Sequence, residues 1–329
     1  MAMLDVEGLR VEFAGAEEPV RAVNGVDLSV ERGEIVGLVG ESGSGKTVTS
    51  LSILGLVRRP GRITAGSIRL DGADLRTLSP ERLREIRGAR ISYVPQSPRG
   101  ALNPLLRIGR QIENVLVSHA EGGRRGRRGT QPAQRRRVLE MIEAVGIPDP
   151  ERVYRAFPHE LSGGMAQRAV IANALILRPD LVIADEPTTG LDVTVQAQIL
   201  DLFASRVRDQ GAGALLVTHD LGIVANYCAR VAVMYAGRIV ETGPAREVFE
   251  RPRHPYTVGL LRSVPVLGQP LYSMPGQAPD LRLLPTGCAF TARCAHALPE
   301  CAAEPPPWQA TAGAGAQRFL CQLRDGAPL

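Results

Sequence analysis

No apolar run in the chain approaches the roughly 20 residues that a bilayer-spanning helix needs. With charged residues at 22% and aromatics at only 4%, the chain is not expected to cross a membrane itself. Residues Met1 to Arg10 lack the apolar run and small-residue cleavage site of a secretory signal, and they carry acids. A cytoplasmic protein is expected. Cysteine is missing until Cys228, which stands in an apolar stretch and reads as a plain buried thiol. Acids are missing between Gly122 and Arg137, where seven arginines fall (Arg124, Arg125, Arg127, Arg128, Arg135, Arg136 and Arg137). Without them the net charge of +5 drops to near −2, so the basic excess is local. Interleaved glycines make that stretch a solvated surface loop, and no nucleic-acid partner is expected.

What is present excludes disorder: 329 residues with 44% hydrophobic content can bury a sizeable core in one large or two modest domains. The run Glu34 to Gly40 reads as a buried strand. It leads into Gly40-Glu-Ser42-Gly43-Ser44-Gly45-Lys46-Thr47, the phosphate-loop pattern G-x-x-x-x-G-K-T/S. Glycines let backbone amides close around phosphate oxygens, and the following helix, expected over about residues 46–57, points its positive end at them. Lys46 neutralises β- and γ-phosphates in this reading, and the Thr47 hydroxyl ligates Mg²⁺. A second apolar strand, residues 181–184, ends in the adjacent acids Asp185 and Glu186 and then Pro187. Alternation along a strand gives two successive acids different tasks. Asp185 is expected to hold the Mg²⁺ shell, and Glu186 to polarise the water that attacks the γ-phosphate.

Between these motifs, Leu161-Ser162-Gly163-Gly164-Met165 opens a helix expected to run to about Leu177. Ser162 is suited to cap it, and the two glycines permit close backbone approach to an anion. One phosphate loop plus one extra phosphate-facing helix end suggests two copies facing each other, each completing the other's site. A helix over residues 195–207 carries its apolar positions at helical spacing and reads as core.

From about residue 3 to 325 the chain resembles the ATP-binding subunits of ABC transporters. In that resemblance Gln96 matches the Q-loop, Asp192 the D-loop and His219 the switch histidine. Gln96 thereby gains a metal-linked role, His219 a γ-phosphate contact, and Ser162, Gly163, Gly164 and Asp192 contacts to the nucleotide of a facing copy. Phe13 is the candidate for the family's adenine-stacking ring, with a core phenylalanine as the alternative. The stretches Val39–Lys46, Pro158–Met165, Asp185–Gln198 and His254–Thr257, with Leu102-Asn103-Pro104, narrow the resemblance to the oligopeptide, dipeptide and nickel importer group. Thr47, Ala166 and Gly190 depart from that group's usual residues, and none removes a catalytic function.

Beyond about Glu250 the chain is proline-punctuated. Four of the five cysteines lie here, Cys288, Cys294, Cys301 and Cys321, spaced C-x5-C-x6-C-x19-C. A cytoplasmic compartment disfavours disulfides, so a metal is expected. Four thiolates suit Zn²⁺ or an iron–sulfur cluster, and the lack of C-x2-C pairs favours the larger group. The resembled group has the same cysteine tail, which implies a 4Fe–4S cluster, with zinc as the alternative. Arg293, beside Cys294, is a candidate to offset the cluster's charge.

The resemblance implies an α/β fold of the P-loop NTPase, ABC type: a RecA-like core, an antiparallel β subdomain and a helical subdomain. Residues 1–250 are expected to form the ATPase domain, with the helical part at about 98–165, and residues 251–329 a Cys-containing extension. It also implies ATP and Mg²⁺ as ligands, two transmembrane permease subunits, a second ATPase subunit and an extracytoplasmic solute-binding protein. The location implied is the cytoplasmic membrane face. Peptides are the favoured cargo, with nickel or another small solute as an alternative. A soluble non-transport ABC ATPase is disfavoured by the single phosphate loop.

Overall fold

The computed structural model describes residues 2–119, 132–266, 268, 270–311 and 316–323. The chain divides into two compact units. The first gathers Met1–Glu31, Ile35–Thr77 and Leu216–Leu329, and the second Arg32–Glu34 and Leu78–Leu215.

In the first unit, strand Leu4–Phe13 lies between Val20–Val30 and Gly61–Leu70, antiparallel to both. Its buried residues are Leu4, Val6, Leu9 and Val11. The alternation slips where the register shifts between Val6 and Leu9, and Gly8 there has φ 56°. A β-bulge of this kind re-aims the following side chains by one position, which keeps Leu9 and Val11 on the core face.

The same unit holds strand Ile35–Val39, all five residues buried. Continuous apolar character is what a strand covered on both faces requires. It pairs in parallel with Arg230–Tyr235. That strand pairs in turn with Arg238–Pro244, to which tail strands Arg318–Leu320 and Trp308–Ala310 are added antiparallel. The tail thus continues a sheet of the unit that carries the phosphate loop.

The helix after that loop is shorter than expected, Lys46–Ile53 rather than about 46–57. Gly55, at φ 62°, donates to Ser52 O, and Leu56 N–H to Leu51 O. These two bonds form a Schellman cap, which satisfies the last carbonyls and ends the helix.

In the second unit, strands Ile91–Val94 and Leu181–Asp185 run parallel. Helices Ile108–Ser118, Pro132–Ala144, Pro150–Arg155, Gly163–Leu175 and Val193–Gln210 also belong to it. The expected basic loop is corrected at its end. Arg135, Arg136 and Arg137 are helical, in Pro132–Ala144, with proline in the first turn where its missing N–H costs nothing. Arg135 pairs with Glu151, and Arg137 donates to Ile176 O at 2.6 Å. Arg124, Arg125, Arg127 and Arg128 lie outside the described residues.

Candidate functional site

The first unit builds an anion cradle. Strand Ile35–Val39 ends in Gly40 at φ 152°, and Gly45 at φ 107° opens the helix. A Cβ at Gly40 would lie 2.1 Å from Met234 O, and one at Gly45 2.4 Å from Ala22 O, so neither position accepts a side chain. No side chain caps the helix start at Gly45, which leaves its positive end turned toward a ligand. Lys46 is buried, and its Nζ donates to Gly40 O at 2.7 Å and Glu41 O at 2.9 Å. Ser44 donates its N–H to Glu41 O at 3.2 Å, while its Oγ is buried with no protein partner. Ser42, Gly43 and Thr47 are exposed. An orphaned hydroxyl, a helix end and a tethered ammonium converging on one loop fit a phosphate group.

His219 is exposed in the same unit, on a turn fixed on both sides. Thr218 N–H donates to Leu38 O at 3.2 Å, so the turn adjoins the strand that feeds the phosphate loop. Asp220 caps the following helix through Gly222 and Ile223 N–H. Phe13 is half-buried, opposite Gly61, where a Cβ would meet its ring at 2.6 Å.

The second unit carries the acids. Asp185, at 1% exposure, accepts from Tyr93 Oη at 3.1 Å. Burial first, and the Asp185 charge second, push the Tyr93 phenol well above its ordinary range, so it stays a donor. Glu186 has φ 50°, a strained value for a non-glycine residue. Thr189 Oγ1 donates to its carboxylate at 2.8 Å. Pro187 O accepts from Gln167 Nε2 at 2.7 Å, which ties this turn to helix Gly163–Leu175. Gln96 is exposed just beyond strand Ile91–Val94.

Ser162 caps Gly163–Leu175, accepting from Met165 N–H at 3.3 Å. Gly163 has open space where a Cβ would stand, and Gly164 meets only Leu191 at 3.4 Å. Asp192 is exposed and caps Val193–Gln210 through Val195 N–H at 2.9 Å. Arg168, buried, donates to Val145 O, Gly146 O and Gln198 Oε1 and anchors the helix behind its open end.

In the tail, Cys288, Cys294, Cys301 and Cys321 are mutual electrostatic neighbours in every pairing. Burial raises the thiols of Cys288 and Cys294 and takes Cys321 to about 11. Thr291 Oγ1 bridges the carbonyls of Cys288 and Cys301. Among the described residues no three His, Cys, Asp or Glu side chains are gathered closely enough to hold a metal ion. Arg293, the candidate counter-charge for the thiols, is bound bidentately through its guanidinium to Glu41.

Residues 23–189 match the ABC transporter family. The chain belongs to that family. Residues 240–301 of this ABC transporter chain match a second family description, the oligopeptide/dipeptide transporter C-terminal region. A Brucella ovis protein named for peptide import and ATP binding is 51% identical over 321 residues, covering 93% of each chain. The dipeptide transport ATP-binding protein DppD of Escherichia coli is 44% identical over 309 residues, covering 93% of this chain and 92% of its own. Among solved structures, a dimeric bacterial ABC transporter cassette aligns at TM-score 0.67 and 28% identity, covering 74% of this chain and 99% of the other. The expected ABC cassette fold is therefore borne out. Among the described residues no helix is long and apolar enough to cross a membrane.

Tyr93, Gln167, Arg168, Glu41 and Tyr256 were not legible as site residues, nor was the bond of Arg293 to the phosphate loop. Each acts through a contact between distant segments. The one available signal was the Glu within the phosphate loop, an acid where an anion is to bind.

Proposed function

We propose that this chain is the ATP-hydrolysing subunit of an importer of di- or oligopeptides, acting at the cytoplasmic face of the membrane. The observation that carries the ATPase reading is the glycine-bounded cradle with the buried, unpartnered Ser44 hydroxyl and the tethered Lys46. The names of the relatives support peptides as cargo. We take residues 1–250 as the ATPase domain, with its helical part at about 98–165, and 251–329 as the extension.

In this reading Lys46 leaves the loop carbonyls for β- and γ-phosphate oxygens, and the amides of Ser42 to Thr47 close around them. Thr47 and Asp185, with Gln96 at the margin, would hold Mg²⁺, which would supply charge neutralisation for the phosphates. Tyr93 keeps Asp185 aimed. Glu186, held by Thr189, orients water toward the γ-phosphate, and His219 steadies that phosphate. Ser162, Gly163, Gly164 and Asp192 address the nucleotide of a second ATPase subunit, and Phe13 stacks on adenine. The catalytic step lies in positioning and charge neutralisation. Its partners are two permease subunits, the second ATPase and, indirectly, a solute-binding protein.

We also infer that the four tail cysteines hold a 4Fe–4S cluster. A single Zn²⁺ needs four sulfurs within about 2.3 Å of one point, whereas in a cluster each cysteine binds a different iron, so the thiols stand further apart. What supports this reading is that the four thiols lie within electrostatic reach of one another. Such a cluster would supply a structural cross-link. Iron and sulfide in anaerobically purified protein, lost in Cys294→Ser, is the expected result, and zinc in their place would overturn it.

The functional test is uptake of labelled di- and oligopeptides by cells carrying Glu186→Gln at unchanged protein level. Loss of uptake is expected. Unchanged uptake would remove peptides as the sole favoured cargo and point to nickel, sugars or a redundant second importer.

A further inference from the structure

Glu41 is the second residue of the phosphate loop, and each of its polar groups is engaged. Its N–H donates to Tyr256 Oη at 2.8 Å. Its carboxylate accepts from Arg293 Nη1 at 2.8 Å and Nη2 at 2.9 Å, a bidentate fork. Its carbonyl accepts from Lys46 Nζ at 2.9 Å and Ser44 N–H at 3.2 Å. The two grips come from residues 215 and 252 positions away, both in the tail.

Neither grip is free to swing. Tyr256 is fully buried, its N–H donates to His254 Nδ1 at 3.0 Å, and its ring packs on Tyr235 and Phe290. The Arg293 side chain is 6% exposed, with Nε donating to Pro275 O at 2.9 Å and its cation 5.8 Å from the Tyr235 and Phe290 ring centres.

We propose that Arg293 and Tyr256 are positioning residues for the phosphate loop, and that through Glu41 the C-terminal extension sets the affinity for ATP. This rests on reading Gly40–Thr47 as the ATP-phosphate site. Two physical effects carry it. A bare carboxylate at Glu41 would repel the incoming phosphates, and the Arg293 cation cancels that charge at contact distance. Glu41 also supplies a carbonyl that tethers Lys46, so a drifting Glu41 would move the very ammonium and amides that must close on phosphate. A loop held in its binding geometry loses less freedom on binding.

The test uses the purified full-length chain, titrated with a fluorescent ATP analogue in Mg²⁺, with melting temperatures recorded for every variant. Arg293→Met is expected to weaken binding about tenfold, with Arg293→Lys recovering part of the loss. The KM for ATP should rise by the same factor while kcat moves little. Pairing Arg293→Met with Glu41→Gln should bind better than Arg293→Met alone, because a neutral Gln needs no counter-charge, giving a non-additive cycle. Tyr256→Phe, which keeps the packing and removes only the Oη acceptor, provides a second variant should Arg293→Met fold poorly. It too should raise Kd. Wild-type affinity in Arg293→Met and Tyr256→Phe, or an additive cycle, would overturn the proposal, provided that Lys46→Ala abolishes binding. If Lys46→Ala binds as well as the wild type, the ATP-site reading itself fails instead.

Discussion

His254 gives the tail a built-in acid sensitivity whose size follows from its burial. The residue is 1% exposed and caps helix Pro255–Arg262, its Nδ1 accepting from Tyr256 N–H. The ring must therefore be neutral with its proton on Nε2, and Nε2 is buried with no partner. No acceptor reaches Nε2, and burial pulls the pKa from 6.5 down to about 3. Above pH 6.5 neither state binds this proton, and the full stability is present. As pH falls from 6.5 toward 3, the unfolded chain takes a proton that the folded chain refuses, so stability is lost by about 1.4 kcal/mol per pH unit. At about pH 5.5 the loss is on the order of 1.4 kcal/mol. The chain's single tryptophan, Trp308, lies in the tail strand Trp308–Ala310 of the same unit, so its fluorescence follows the relevant unfolding. Urea midpoints near pH 8 and about pH 5.5 would be compared between wild type and His254→Asn, which keeps a capping acceptor without a titrating ring. Groups remote from His254 titrate in both proteins and cancel, and the variant keeps the backbone N–H that Glu241 accepts. The wild type should lose more stability on acidification than the variant, by about one kcal/mol or somewhat more. Equal losses in the two would refute the reasoning.

Gly45→Ala should abolish ATP-analogue binding while the chain remains folded by circular dichroism, because a methyl group at φ 107° meets Ala22 O at 2.4 Å. Arg168→Met removes three hydrogen bonds made by a buried guanidinium and should cost about 2–4 kcal/mol in urea unfolding. Ser162→Ala should cost only about 1 kcal/mol of helix capping, yet it should reduce ATP-driven dimer formation, read by light scattering, far more than such a loss of stability would.

The legible part of this chain was local. Glycines at Gly40 and Gly45 are dictated by backbone geometry within a few residues, so the loop could be read directly, and Ser162 announced a helix start through its cap. Asp192, named only by resemblance, caps a helix that begins at Val193 rather than at 195. The helix end after Ile53 was misjudged because apolar residues continue to Val57, and only the Gly55 cap reveals where the hydrogen bonding reverses. The end of the arginine cluster, Arg135 to Arg137, was misread for the opposite reason: polarity and interleaved glycines outweighed Pro132 as a helix-starting residue. Tyr93 could not be inferred from sequence, since its bond to Asp185 exists only because two strands lie parallel with Tyr93 opposite Ile183. Arg293 illustrates a different limit. Its neighbour Cys294 suggested a partner close in sequence, whereas its carboxylate partner is 252 positions away.

The start of the matched C-terminal region, residue 240, has a physical reading. Glu241 is fully buried in strand Arg238–Pro244. It accepts from Arg253 N–H at 2.7 Å, from His254 N–H at 3.0 Å and from the Gln317 side-chain amide. One buried acid thereby joins this strand, the His254-Pro255-Tyr256 turn and the distal tail; burial holds its carboxyl above the ordinary range, and its hydrogen bonds offset part of that cost. From His254 the connection passes to Tyr256, from Tyr256 to Glu41 and from Glu41 to Lys46. Each link is a hydrogen bond to a buried or half-buried group, so none can be lost without exposing or orphaning its partner. A passive appendage would need only the apolar contacts that keep it attached. This series of polar bonds instead specifies one geometry, and it ends on the lysine that meets the phosphates.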